Sequence, residues 1–339
     1  QNGGAIGHRD GQLPGGLTVA QAVTLMPGAT LHVLLNGATP SLQVGGTLTL
    51  GDTNRVRVYL AGAVTPGTNV LVDYTGALAG DGFAALRLAP LPGGAAGFLS
   101  NNVADTRIEL VVTAVGAGIK WDGDVNGRWD FDATPNWLVR DTLQDTFYVE
   151  FDPVLFDDTA SGATAVTLVG AHTPSSLIFS NHTAQYTLAG DGIGGPVSLV
   201  KHGAGLVTLS NANSFSGGAY LFGGRVRAGH SNALGAQLAT VVISNATYDI
   251  NGYNTGENLL LSGDGAAGGG ALVNDGPSLT TGPDGFRLLG DSAIGGSGNF
   301  ALRNMGQAAD LGGFTLTKLG TNTVSLTGLD LSNGQVTVQ

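Results

Sequence analysis

Short alternations of apolar and polar residues, cut every few positions by Gly, Asn or Pro, run along most of the chain. Ala22 to Leu25, Thr30 to Leu34, Ser41 to Val44 and Thr47 to Leu50 read as strands of this kind. Arg55-Val56-Arg57-Val58-Tyr59-Leu60 alternates cleanly, placing charge on one face and apolar side chains on the other. Val70 to Tyr74, Phe83 to Leu88 and Arg107 to Val112 follow, with a loop expected over Pro90 to Gly97. Further strands are expected at Val166–Val169, Ser176–Phe179, Thr240–Ile243, Thr247–Ile250, Asn258–Ser262 and Phe300–Leu302. No apolar spacing of 3.6 persists long enough to predict a helix. Segments this short, bounded by turn residues, predict an all-β chain.

A phrase repeats within it. Ser198 to Ser210 aligns without gaps on Thr315 to Thr327, an offset of 117 residues. Leu199, Lys201, Gly203, Val207 and Leu209 fall on Leu316, Lys318, Gly320, Val324 and Leu326. The first copy runs on to Gly229, and the second is shorter, with Gly334-Gln335-Val336 standing where Gly224-Arg225-Val226 would. An internal repeat marks stacked units that share one continuous core. A Lys present in both copies reads as architectural, since one catalytic site cannot occupy two places.

The phrase resembles the autotransporter-associated β-strand repeat, also called the passenger-associated repeat, of secreted bacterial proteins. Lys201, Gly203, Gly205, Leu209, Asn213, Phe215 to Gly218, Gly224, Val226 and Gly229 carry the likeness. Trp121-Asp122-Gly123, Asn126 to Asp130, Asn136-Trp137, Phe156 to Asp158, Asp249 to Gly252 and Ile294 to Gly298 extend it. The resemblance implies a right-handed parallel β-helix, or β-solenoid, and an extracellular or cell-surface bacterial location. At about 20–25 residues per coil the chain would make roughly 14–16 coils.

Composition narrows the function. Charged residues are only 12% of the chain and Gly contributes 57 of its 339 residues. Neutral polar side chains can ladder between stacked strands where like charges repel. The net charge of −11 argues against nucleic acid and against an anionic membrane surface as partners. No apolar run is long enough to insert in a bilayer as a helix. The absence of Cys is compatible with export.

Three parts are expected. Residues 1–116 form N-terminal solenoid coils, and residues 117–160 form a loop-rich insert or cap that gathers all three Trp residues, Trp121, Trp129 and Trp137. Residues 161–339 form a second solenoid containing the copies at 198–229 and 315–339. Neither end reads as a polar capping repeat, because Gln1 to Gly7 and Gly334 to Gln339 look like parts of coils. The chain is therefore expected to be a window of a longer array, or to stack head to tail on copies of itself as a filament.

Candidate chemistry is sparse. Gly190 to Gly195 and Gly263 to Gly268 both fit G-x-G-x-x-G, but no helix follows either, so both read as turns. Asp122, Asp124, Asn126 and Gly127 match the first half of a calcium loop, with Asp130 as a further oxygen donor. Its twelfth position is Ala133 instead of Glu, so a solvated polar turn is expected. Asp152, Asp157 and Asp158 form a second acidic patch. A polysaccharide lyase or hydrolase would need converging carboxylates, for which Asp73 with Asp81 or Asp249 with Asp264 are the candidates. The six His lack ligand spacing. No catalytic, cofactor-binding or metal residue is assigned.

The leading expectation is a non-catalytic extracellular structural rod that continues end to end as a filament or matrix. An adhesin or autotransporter passenger binding glycans or cells is the alternative, and a polysaccharide-active β-helix enzyme the third. An adhesin should present an exposed aromatic or loop-rich face, for which Trp121–Trp137 is the candidate.

Overall fold

A computed structural model describes residues 5–7, 16–35, 39–60, 64–237, 239–283, 285–303, 311–327 and 333–339. Gln1 to Gly4, expected to continue a coil, lie outside these. The chain is all-β, a solenoid of stacked parallel coils with about 13 turns. It divides into two compact units. Unit 1 comprises Gln1–Ile119 with Leu138–Pro153, and unit 2 comprises Lys120–Trp137 with Val154–Gln339. Residues 117–160, expected as one insert, are thus shared between the units.

Unit 1 winds three strands into each coil, one on each of three sheets. Leu17–Val19, Val23–Leu25 and Thr30–Leu35 belong to one coil, and Leu42–Val44, Leu48–Leu50 and Asn54–Leu60 to the next. Gly67–Tyr74, Leu78–Gly80 and Leu86–Leu88 make the third. Equivalent strands pair in parallel, for example Val23 with Leu48 and Leu48 with Leu78. Alternation sends Leu31, Val33, Val56 and Val58 into the core and leaves Arg55 on the outer surface. Each such aliphatic side chain contributes about 1.5–3 kcal/mol when fully buried.

The regular winding then breaks. Phe83 to Leu88, expected as one strand, begins with a 3-10 turn over Gly82–Ala85 and becomes extended only at Leu86–Leu88. Gly82 takes φ +65°, which a strand cannot use. The loop expected over Pro90 to Gly97 holds a 3-10 turn at Pro92–Gly94 and ends in a strand, Ala96–Asn102. That strand pairs antiparallel with Arg107–Ala114, which pairs antiparallel with Gly67–Tyr74. A hairpin has replaced a further coil, which accounts for part of the shortfall against the expected coil number.

Unit 2 uses two sheet strands per coil. Leu177, Leu199, Ala219, Val241, Leu259 and Phe286 are successive register partners. On the other face the column is Tyr186, Val207, Val226, Tyr248, Leu272 and Ile294. Leu209, in the first repeat copy, is fully buried. The three Trp residues are interior too. Trp121 and Trp129 each meet Trp137 edge-on, with centroids 5.1 Å apart, and Phe156 stacks on Phe179 at 4.8 Å. Such pairs stabilise by about 0.5–1.5 kcal/mol beyond the area they bury.

Buried amides join the turns of successive coils. Asn274 Oδ1 accepts the N–H groups of Gly252 and Gly276, and its Nδ2 donates to Pro277 and Asn299 carbonyls at 2.9 and 3.0 Å. Asn213 does similar work, accepting from Ile193 N–H and donating to the Ala233 carbonyl. Without these side chains the turn groups would be buried and unsatisfied.

The repeated Lys has one geometry in both copies. Lys201 sits in an interior column between Phe179 and Leu221, and its Nζ curls to the carbonyls of His202 and Gly203 at 2.6 and 2.7 Å. Lys318 Nζ reaches Leu319 and Gly320 carbonyls at 2.6 and 3.0 Å. Gly203 and Gly320 turn the chain there with φ +77° and +74°. Burial pushes the Lys201 ammonium down to about 8.

Candidate functional site

Unit 1 contains a cavity of about 220 Å³ where its irregular segments meet the Asn54–Leu60 strand. Thr30, Arg55, Arg57 and Val58 line one side, with Arg55 and Arg57 two residues apart on the same strand face. The loop Ala89 to Gly93 forms one wall. Pro90 and Pro92 restrict that loop, and Gly93 turns it with φ +62° while buried. Asp145, Thr146, Phe147, Val149 and Asp152 form the opposite wall. The guanidinium carbon of Arg57 lies 5.5 Å from the Phe147 ring centroid, a cation–π contact that fixes both.

Asp152 is the unusual group here. It is 1% exposed, at the end of a tight turn in which Phe151 has φ +69°. Its Oδ2 accepts the Val149 N–H at 3.0 Å, and its own N–H donates to the Val149 carbonyl at 3.2 Å. Oδ1 is buried and lies beside Gly93, short of a well-formed hydrogen bond. Burial therefore pushes the carboxyl up to about 8; the N–H groups of Val149 and Gly93 offset part of this, and the Glu150 charge adds to it. At neutral pH Asp152 is mostly a neutral acid, able to donate as well as accept. Burial also lowers the Arg57 pKa, with Tyr59 opposing and Arg55 adding to the shift, yet a guanidinium stays charged.

A shallower groove adjoins the cavity and shares Arg55, Ala89 and Pro90 with it, adding Thr53, Arg87 and Leu88. Arg87 is held by carbonyls of Ala84 and Leu86 at 2.5 and 2.9 Å. Three of the 14 basic residues of an acidic chain thus line one continuous depression.

The residues singled out in the sequence lie elsewhere or are already engaged. Asp122 accepts the N–H and hydroxyl of Ser161, Asn126 accepts from Arg128 N–H and Asn136, and Asp130 accepts twice from Thr134. Their oxygens close turns, and among the described residues no group of three or more His or acidic side chains is placed to hold a metal ion. Of the three acidic residues grouped in the sequence, Asp152 is buried. Asp152 belongs to unit 1, whereas Asp157 and Asp158 belong to unit 2. There Asp158 accepts the backbone N–H groups of Ala184, Thr183 and His182, which hold its carboxyl well below the usual range.

Asp249 is fully buried. Burial opposes its ionisation, but the Asp275 N–H and the guanidinium groups of Arg225 and Arg227 outweigh that and keep it charged. Asp264 is exposed on a turn, and Asp73 pairs with Arg107 at 3.4 Å. The Trp residues expected to offer an aromatic face are 0–1% exposed and offer none. Arg55, Arg57 and Asp152 were not foreseen as a site. The clean alternation at Arg55–Leu60 shows two Arg facing outward, but nothing in the sequence brings residues 145–152 against them.

The chain is similar to a stretch of the adhesin BmaC autotransporter of Brucella suis biovar 1 (strain 1330). The two are 27% identical over 293 residues, covering 72% of this chain and 8% of that protein. The chain thus spans less than a tenth of the length of that relative. No family model matches the chain, and no solved structure matches it.

Proposed function

We propose that this chain is a non-catalytic stretch of a bacterial cell-surface adhesin of the autotransporter passenger type. Unit 2 serves in this reading as a structural spacer and unit 1 as the part that meets a ligand. The observation that carries it is the joint one of a parallel β-solenoid and a likeness to an autotransporter adhesin along 72% of the chain. A surface location follows from the same likeness; among the described residues no helix is long and apolar enough to cross a membrane. The arginine-lined depression of unit 1 is the binding surface in this reading, since the Trp side chains are buried.

The test is adhesion itself. Beads coated with the purified chain should attach to host cells or extracellular matrix several-fold more than beads coated with bovine serum albumin. Attachment no greater than the albumin control, on every surface tried, would count against the adhesin reading.

A further inference from the structure

We propose that the depression lined by Arg55, Arg57, Arg87, Phe147 and Asp152 binds an acidic saccharide, with one carboxylate-bearing sugar seated in the cavity and its neighbour along the groove. The reading of the chain as an adhesin supplies the setting, and this proposal names the ligand class of that site.

Four observations converge on this class. The first is charge. The chain carries −11 overall, yet this depression gathers three guanidinium groups. Their fixed planar donors match carboxylates in two-point contact. The acidic groups facing them are Asp145, which is exposed, and Asp152, with Glu150 beside the latter. With Asp152 mostly neutral near pH 7, the cavity is net positive.

The second is the buried Oδ1 of Asp152, which has no well-formed hydrogen bond within the chain. The Gly93 N–H lies against this carboxyl, and a ligand hydroxyl would complete its hydrogen bonding. The protonated acid can give one hydrogen bond and accept another, as a sugar hydroxyl requires. The third is size. A volume of about 220 Å³ is below the ~300–1,000 Å³ of sites for drug-sized ligands and suits a single ring. The fourth is shape. The cavity continues into the Arg87 groove across Arg55, Ala89 and Pro90, so a second residue of an oligomer has a place to go. Leu91, Pro92 and Phe147 supply the apolar wall that the C–H face of a sugar ring packs against.

Calorimetry with oligogalacturonate tests this on the intact chain, with a neutral glucan oligomer and inorganic polyphosphate as comparisons. The expected result is saturable binding of oligogalacturonate, at least tenfold tighter than the neutral oligomer. R55Q combined with R87Q, both on the surface, should weaken it by roughly tenfold or more, the loss expected for charge-assisted contacts. Raising the pH from 7 to 9 should also weaken binding, because ionised Asp152 repels a carboxylate. D152N should keep the affinity at pH 7 and remove that loss.

Failure of oligogalacturonate to bind would overturn the proposal. So would equal binding of polyphosphate that neither D152N nor pH alters, since that is unspecific charge attraction. Binding unaffected by R55Q with R87Q would place the ligand elsewhere and overturn it too. The adhesion assay is read separately: adhesion without oligogalacturonate binding sinks this ligand assignment alone, and binding without adhesion sinks the adhesin reading alone.

Discussion

Unit 2 repeats one two-strand coil along its length, whereas unit 1 repeats three coils and then departs from them. From Ala165 to Val338 the described strand pairs of unit 2 run parallel, with interior columns six residues deep. Two of its buried charged groups are held in place, Lys201 by turn carbonyls and Asp249 by two arginines. In unit 1 an antiparallel hairpin and two 3-10 turns interrupt the winding, and a cavity opens beside them with a carboxyl oxygen left over. Regular stacking pairs the backbone and fills the interior, and the cavity of unit 1 opens where that regularity breaks.

The sharpest break of this contrast is a charge placed in the stack. Leu209→Asp puts a carboxylate at a fully buried position with no partner. It should cost about 4 kcal/mol or more and lower the urea midpoint steeply. An unchanged midpoint would mean that Leu209 faces solvent and that the register of unit 2 is wrong.

A smaller loss is expected from Asn274→Ala, which deletes four hydrogen bonds, two within its own turn and two to neighbouring coils. Stranding those backbone groups should cost roughly 2–3 kcal/mol. A change under about 0.5 kcal/mol would show that water replaces the amide and that the Asn positions are not what ties coil to coil.

Titration separates the units by sign. Asp152 has an ordinary carboxyl pKa of 3.8 when unfolded and about 8 when folded. Between these values the folded state holds more protons, so its contribution to stability falls as pH rises from about 4 to 8. Lys201 goes from 10.5 unfolded to about 8 folded. There the unfolded state holds more protons, so stability rises from about pH 8 to 10.5. Melting curves across pH 4–10 should show Asp152→Asn flattening the first slope and Lys201→Met the second. Identical slopes in wild type and variants would mean that neither group is desolvated.

Unit 2 was the more legible half of the molecule. The aligned Lys201 and Lys318 announced a shared turn, and both amines hold the turn carbonyls that follow them. Leu209 and Val207 read as interior from alternation alone, and they are. Unit 1 was legible only where it is periodic. Ala96–Asn102 was hidden because Gly97, Asn101 and Asn102 are poor strand formers, and only pairing with Arg107–Ala114 makes them extended. Trp121, Trp129 and Trp137 cluster in sequence, which suits an outward aromatic face and a buried one alike; in space their rings fill an interior. The burial of Asp152 could not be read from spacing, since it packs against Gly93, far from it along the chain.

Coil-on-coil stacking in one register is the premise of both halves, and the absence of native Cys allows a direct test. Thr187 and Thr208 are register partners, and Thr208 is in turn the partner of Arg227. Adjacent strands lie about 4.8 Å apart, within disulfide reach, whereas strands two coils apart, at about 9.6 Å, are not. T187C with T208C should form an intramolecular disulfide under mild oxidation, and T187C with R227C should stay reduced. A bridge in the second pair, or none in the first, would contradict the stacking.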